Sequence, residues 1–300
     1  MRYLHYDVFT DTPFEGNQLA VCPDPPADLS TERMQRIANE MAFSETTFVL
    51  PRERSGDVRM RIFTPGSELP MAGHPTIGTT FALAAEGVIA PGRSEFVFEC
   101  GIGPIPVMLE WNGAGLSFAW MTQPLPSFGF EIADRDAFAA ASGLEGRDLA
   151  DAPIAEVSCG VPFLFVPLAS REAVDRAALD RRAAAAVLAR AGHPEMAIFY
   201  FTVDRTGGRN EETVYSRMLA PAFGIAEDPA TGGASGPLGC YLLYHGMVGA
   251  DEARTMISLQ GVAMKRPSRI HISIDSHDET ITRVRVGGKA VLVAEGRLVV

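Results

Sequence analysis

The sequence predicts an α/β (α+β) protein of two pseudo-symmetric domains, each a curved, mostly antiparallel sheet wrapped around a central helix. Three observations predict it: an internal repeat, strand-rich runs closed by turn signals, and two helices too apolar to lie on a surface.

The repeat is read first. Arg61-Ile-Phe-Thr-Pro65 matches Arg217-Met-Leu-Ala-Pro221. A few residues on, LPMAGHPTIGTTFALAAEGV lies over DPATGGASGPLGCYLLYHGMV, pairing Pro70 with Pro229, Gly73 with Gly232 and Gly87 with Gly246. Upstream, Val8…Pro13-Phe14 echoes Val157…Pro162-Phe163, and downstream Gly101 has its counterpart in Gly261. The offset grows along the chain from 149 (Val8 to Val157) to 160 (Gly101 to Gly261), as small loop insertions would make it.

The elements follow in order. Ser30 is an N-cap residue for a helix reaching Met41. An apolar helix, TTFALAA, follows His74-Pro75 and ends at Gly87. EFVFECG, PIPVMLEW and LSFAWM read as strands, with Asn112-Gly113 a hairpin turn. DRRAAAAVLARAG reads as a surface helix ending at Gly192. A second apolar helix, LGCYLLY, follows Gly236-Pro237, where proline suits the first turn. IHISI and RVRV-GG-KAVLV close the chain, the glycine pair reading as a two-residue hairpin. Two prolines and a glycine in MTQPLPSFG (121–129) place the boundary, giving domains 1–122 and 123–300. Whether the last strands (290–300) fold back onto the first domain is left open by the sequence.

Bulk properties narrow the partners. With 47% hydrophobic and 21% charged residues this is an ordinary soluble composition. A net charge of −11 argues against nucleic acid or an anionic membrane as partner. No apolar run has the length of a membrane span and MRYLHYDVFT lacks a signal-peptide pattern, so a cytoplasmic location is expected. Cys22, Cys100, Cys159 and Cys240 are far apart in sequence, form no CxxC pair, and are expected to be isolated thiols.

Each repeat sets a Pro-x-x-Gly segment in front of its apolar helix. Two such helix starts, brought face to face by pseudo-symmetry, would offer N–H donors and positive dipole ends to a carboxylate. Neither carries the Gly-Lys-Ser/Thr of a nucleotide loop. His74, between Gly73 and Pro75, can donate to an anion or transfer a proton, or simply hydrogen-bond the turn. Asp228, before Pro229, is either an Asx-type cap or a partner for a polar ligand group. Glu45 in MAFSETTFVL stands where helix gives way to strand, flanked by Phe43 and Phe48; partial desolvation there would suit general acid–base work. No GxSxG elbow, HExxH pair or dinucleotide fingerprint is present, and the sequence indicates no metal or cofactor.

DVFTDTPFEGNQLAV, SETTFV, ELPMAGHPTIGT, EDPATG with its following helix, and QGVAMKRPS together resemble the phenazine-biosynthesis PhzF-like isomerase family, in family order from residue 5 to about 270. The resemblance implies a diaminopimelate epimerase-like fold, with the ligand held between the two central helices. It implies that Glu45 is a general acid/base moving a proton between carbons of a small cyclic carboxylic acid. His74 and Asp228 would stabilise charge and relay protons. Gly73, His74, Asp228, Gly232 and Gly233 would bind the substrate, supported by Asn17. A cofactor-free homodimer is implied as well. Racemases of this fold use a thiol at each helix start; here those places hold Gly73-His74 and Gly232-Gly233, which excludes a two-cysteine racemase. The family's second turn reads DPATGS, whereas this chain has Gly233 in the serine position. That departure leaves the family substrate open and admits a second reading, a non-catalytic small-carboxylate binding protein.

Overall fold

The computed structural model describes residues 1–204 and 212–299. Contacts divide it into two units, Met1–Thr122 with the chain from Arg285 on, and Gln123–Val284.

The first unit runs β1 (Arg2–Val8), β2 (Asn17–Cys22), α1 (Thr31–Met41), β3 (Glu45–Leu50), β4 (Val58–Phe63), β5 (Glu68–Leu69), α2 (Gly73–Ala85), β6 (Glu95–Cys100), β7 (Gly103–Asn112) and β8 (Gly115–Gln123). The second carries β9 (Ser127–Glu131), α3 (Arg135–Ala141), β10 (Ala155–Ser158), β11 (Pro162–Pro167), α4 (Arg171–Arg176), α5 (Arg181–Arg190), β12 (Ala197–Val203), β13 (Val214–Ala220), β14 (Ile225–Asp228), α6 (Gly232–Tyr244), β15 (Met256–Gln260), β16 (Ser268–His277) and the start of β17 (Thr280–Gly288), whose residues from Arg285 on belong to the first unit. β18 (Ala290–Arg297) pairs antiparallel with β1.

The repeat is carried by strand pairing as well as by residue type. β2 with β3 and β4 with β6 are the parallel pairs recorded in the first unit. Their counterparts β11 with β12 and β13 with β15 are parallel in the second. The other recorded pairings are antiparallel, so a mostly antiparallel sheet holds in each.

Both central helices are apolar on every side and therefore sit inside. α2 packs on β1, β2, β3 and β18, while α6 packs on β10, β11 and β16. Ile77 and Leu83 of α2 and Leu238 and Leu242 of α6 are fully buried, each contributing about 1.5–3 kcal/mol of hydrophobic stabilisation. α3, α4 and α5 cover a second core of the second unit around Leu164, Val166, Ile198 and Tyr200.

Two features pin the turn before each central helix. A Cβ on Gly101 would stand 2.8 Å from Pro70 Cα, and one on Gly261 would stand 2.5 Å from the Pro229 carbonyl oxygen. Strand and turn touch backbone to backbone, which only glycine allows. Arg61 also forks onto Glu68 (2.8 and 2.7 Å), and Arg217 forks onto Glu227 (2.9 and 2.8 Å).

Two expectations are corrected. Gly287-Gly288 is not a hairpin turn: both glycines lie in β17, and neither has the positive φ that such a turn demands. They are glycine for space, since a Cβ would meet the Phe118 and Trp120 rings at 287 or the Phe9 ring at 288. Pro237 stands inside α6, which begins at Gly232 rather than after Gly236-Pro237. Cys159 and Cys240 are free thiols, as expected, and though remote in sequence they bring their buried sulfurs to 4.0 Å. No helix among the described residues is long and apolar enough to cross a membrane.

Candidate active site

Capping distinguishes the two central helices from the other four. Ser30, Asp134, Ser170 and Asp180 accept first-turn N–H groups of α1, α3, α4 and α5. α2 and α6, whose caps are Ala72 and Thr231, have no side-chain cap bond. Their glycine-led first turns keep N–H donors of the kind that bind anions.

In the first unit the structure brings Asn17, Glu45 and His74 together. Glu45 opens β3, Asn17 opens β2, and His74 is the second residue of α2. His74 Nδ1 lies 3.1 Å from Glu45 Oε2 and 3.5 Å from Asn17 Nδ2. The other ring nitrogen, Nε2, is 3.3 Å from the Gln18 carbonyl oxygen. A carbonyl can only accept, so Nε2 carries the hydrogen and donates it. The tautomer this network assigns leaves a lone pair on Nδ1 facing Glu45 and Asn17. Burial pushes His74 down from 6.5 to about 3, offset in part by the Gln18 carbonyl, so the imidazole is neutral near pH 7. Glu45 keeps 12% of its side chain exposed against 4% for His74. The carboxyl is the member of the pair that solvent or a ligand reaches.

In the second unit Asp228 ends β14 and is largely buried. Its Oδ2 accepts the Thr231 hydroxyl at 2.5 Å. Gln260, fully buried, ties the turn together. Its Nε2 donates to the Asp228 carbonyl (2.8 Å) and to Thr231 Oγ1 (3.0 Å), while its Oε1 accepts the Thr231 N–H (3.1 Å). Gln123 Nε2 donates to the Gly232 carbonyl at 2.9 Å. Asp228 is thus held by its own turn, and the N-cap residue of α6 is Thr231.

Sequence reasoning missed Thr231, Gln260 and Gln123. One signal was present: Gln260 precedes Gly261 in the repeat position of Cys100 before Gly101.

The repeat also shows what each unit places at these positions. Phe48 pairs with Arg61, and Tyr200 with Arg217. Three residues back on each strand stand Glu45 and Ala197. The pairing of Gly73 with Gly232 sets His74 against Gly233. Ile62 pairs with Leu69 and Met218 with Asp228, so Leu69 is the counterpart of Asp228. Carboxyl and imidazole belong to the first unit alone, and the second unit holds alanine and glycine in their places. Neither helix start bears a thiol, and Cys240 lies two turns into α6, fully buried. Among the described residues no group of three or more His, Cys, Asp or Glu is arranged to hold a metal ion.

The fold is shared with solved structures of PhzF-family proteins and of a probable proline racemase. A probable proline racemase from Agrobacterium radiobacter shares the fold, with a TM-score of 0.63 at 11% identity over 99% of this chain and 92% of that one. A PhzF-family phenazine biosynthesis protein from Bacillus anthracis superposes with a TM-score of 0.88 at 31% identity, covering 100% and 99% of the two chains. The trans-2,3-dihydro-3-hydroxyanthranilate isomerase of Pseudomonas aeruginosa is 38% identical over 297 residues, 99% of this chain and 98% of that protein. Residues 6–296 match the PhzC-PhzF family model, described as phenazine biosynthesis-like protein. The chain belongs to this PhzF-like isomerase family.

Proposed function

We propose that this isomerase moves a proton between carbons of a small cyclic carboxylic acid, with Glu45 as the acid/base. The supporting observation is the Glu45 carboxyl 3.1 Å from the lone-pair nitrogen of a neutral, buried His74. When the carboxyl holds a proton, Nδ1 accepts its hydrogen bond; when a substrate takes that proton, Nδ1 stays in place and the Asn17 amide steadies it. An ionised Glu45 removes a proton from a saturated ring carbon, the electron pair spreads through the conjugated carboxylate, and the same carboxyl returns the proton at another carbon. Substrate and product are isomers, so the step needs no electron acceptor, in keeping with cofactor-independent catalysis. The counterparts Ala197 and Gly233 offer no second base, which favours one group acting in both directions. Asp228, with Gly73, Gly232 and Gly233, is proposed to bind the substrate through polar contacts and helix-start N–H groups. A cytosolic homodimer is part of this reading on family resemblance.

The substrate we propose is trans-2,3-dihydro-3-hydroxyanthranilate or a close cyclic relative, after the enzyme 38% identical to this chain. The test is turnover of that compound, followed by chromatography, with wild type and Glu45→Gln. Conversion by wild type with a loss of at least about 1000-fold in the variant supports the assignment. Equal conversion by both removes Glu45 from the chemistry, and no conversion by wild type removes this substrate.

A further inference from the structure

Of Gly233, Gly236 and Gly239 in α6, Gly233 is the one that packing does not explain. A Cβ on Gly236 would stand 2.0 Å from Gln123 Oε1, and one on Gly239 would stand 2.6 Å from Ile272 Cγ2. Those two are glycine because nothing larger fits. A Cβ on Gly233 would meet a single neighbour, Phe163 Cζ, at 4.0 Å, an ordinary contact distance. Nor does Gly233 have the positive φ that would demand glycine. Glycine weakens a helix relative to alanine, so this position gives up stability with no return in the fold.

The space left open has a definite character. The nearest atom is an aromatic carbon of Phe163, a residue of the same apolar cluster as Ala197 and Ala234. Gly233 itself is half-buried. In the first unit the corresponding place is filled by the His74 imidazole against Glu45. In the second the repeat has emptied that place, and the edge of the Phe163 ring is the neighbour there.

We propose that Gly233 and the edge of Phe163 form a specificity notch that receives a methyl-sized apolar substituent of the carboxylate substrate. A carbon at the vacant position sits at van der Waals distance from Phe163. A polar group facing that ring edge would give up hydrogen bonds to water for nothing in return. The proposal rests on the reading that the turn from Asp228 to Gly233 binds substrate.

Calorimetric titration of the full chain tests it, with 2-aminobenzoate and its 3-, 4-, 5- and 6-methyl derivatives as probes. At least one methyl derivative is expected to bind about three- to five-fold tighter than the parent, the gain from burying one methyl group. Gly233→Ala and Gly233→Val erase that gain, so that within each variant the methyl derivative and the parent bind equally to within about two-fold. Gly233→Ala also raises the thermal midpoint by about 1–3 °C, because the fold does not need the glycine. The proposal is overturned if no methyl derivative gains, if the gain survives Gly233→Val, if Gly233→Ala lowers the midpoint, or if none of the probes binds. Glu45→Gln separates the two readings. A methyl preference kept by an active Glu45→Gln sinks the acid/base role alone; a preference absent from wild type, with Glu45→Gln inactive, sinks the notch alone.

Discussion

His74 faces Glu45 with the ring nitrogen that carries no hydrogen, at 3.1 Å, and turns its N–H to the Gln18 carbonyl. The pair is held by three separate elements: the start of β3, the first turn of α2, and the backbone of β2. The lone pair on Nδ1 depends on the imidazole staying neutral.

That neutrality has a signature in stability. A free histidine titrates at 6.5, whereas His74 in the fold titrates at about 3. Between those values the unfolded chain binds the extra proton and the folded chain does not. Acidification from 6.5 towards 3 therefore costs stability, by up to about 1.4 kcal/mol per pH unit from this group, and the contribution is fully present above 6.5. Urea unfolding at about pH 7 and about pH 5 is expected to show a smaller loss in His74→Asn than in wild type. Equal losses would assign the acid sensitivity elsewhere.

The Asp228 carboxyl accepts a hydroxyl of its own turn. Thr231→Val removes the donor to Asp228 Oδ2 and the acceptor of Gln260 Nε2, costing about 1–3 kcal/mol. Thr231→Ser keeps the donor. If the hydroxyl positions Asp228 for substrate, turnover falls about ten-fold in the valine variant and recovers in the serine variant. Equal activity in both would make the bond purely structural.

The glycine–proline contacts should rank by their constraints. Gly261→Ala meets two backbone oxygens, those of Arg266 and Pro229, at 2.4 and 2.5 Å and must hold φ +78; a cost of about 3 kcal/mol or more is expected. Gly101→Ala meets Pro70 at 2.8 Å without a positive φ and should cost about 1–3 kcal/mol. Denaturant midpoints give the order, and a reversed order would contradict it.

Arg217 should matter more than Arg61. Both fork onto a glutamate, but Arg217 also donates to the carbonyls of Val174, Asp175 and Ala177, and its partner Glu227 is 16% exposed against 39% for Glu68. Arg217→Met is expected to cost about 3–5 kcal/mol, and Arg61→Met about 1 kcal/mol. Comparable costs would show that the carbonyl contacts contribute little.

What was legible in the sequence was what the fold imposes twice. Gly101 on Pro70 and Gly261 on Pro229 are one backbone contact made in each unit, so the residues recur and the repeat can be read. Ser30 was legible because an N-cap is a local device. The glycine pair at 287–288 misled because glycine serves close packing as readily as turns, and only the neighbours Phe118, Trp120 and Phe9 decide which. Pro237 misled because a helix start was sought at the proline. The sulfurs of Cys159 and Cys240 meet across 81 residues, and no spacing rule reports such a contact. Glu45, His74 and Asn17 could be named as candidates one by one. That they share one cluster, with a neutral imidazole at its centre, comes from strand register and burial. Gln260 and Gln123 were silent because a buried amide has no periodic signature.

The central claim is that Glu45 moves a proton from one carbon to another. The most direct test is NMR of trans-2,3-dihydro-3-hydroxyanthranilate incubated in D₂O with wild type and with Glu45→Gln, the variant first shown by calorimetry to bind 2-aminobenzoate as wild type does. Wild type is expected to give product with deuterium partly incorporated at the newly protonated carbon. Glu45→Gln is expected to give neither product nor exchange over the same interval. Product and deuterium appearing at equal rates in both proteins would contradict the account.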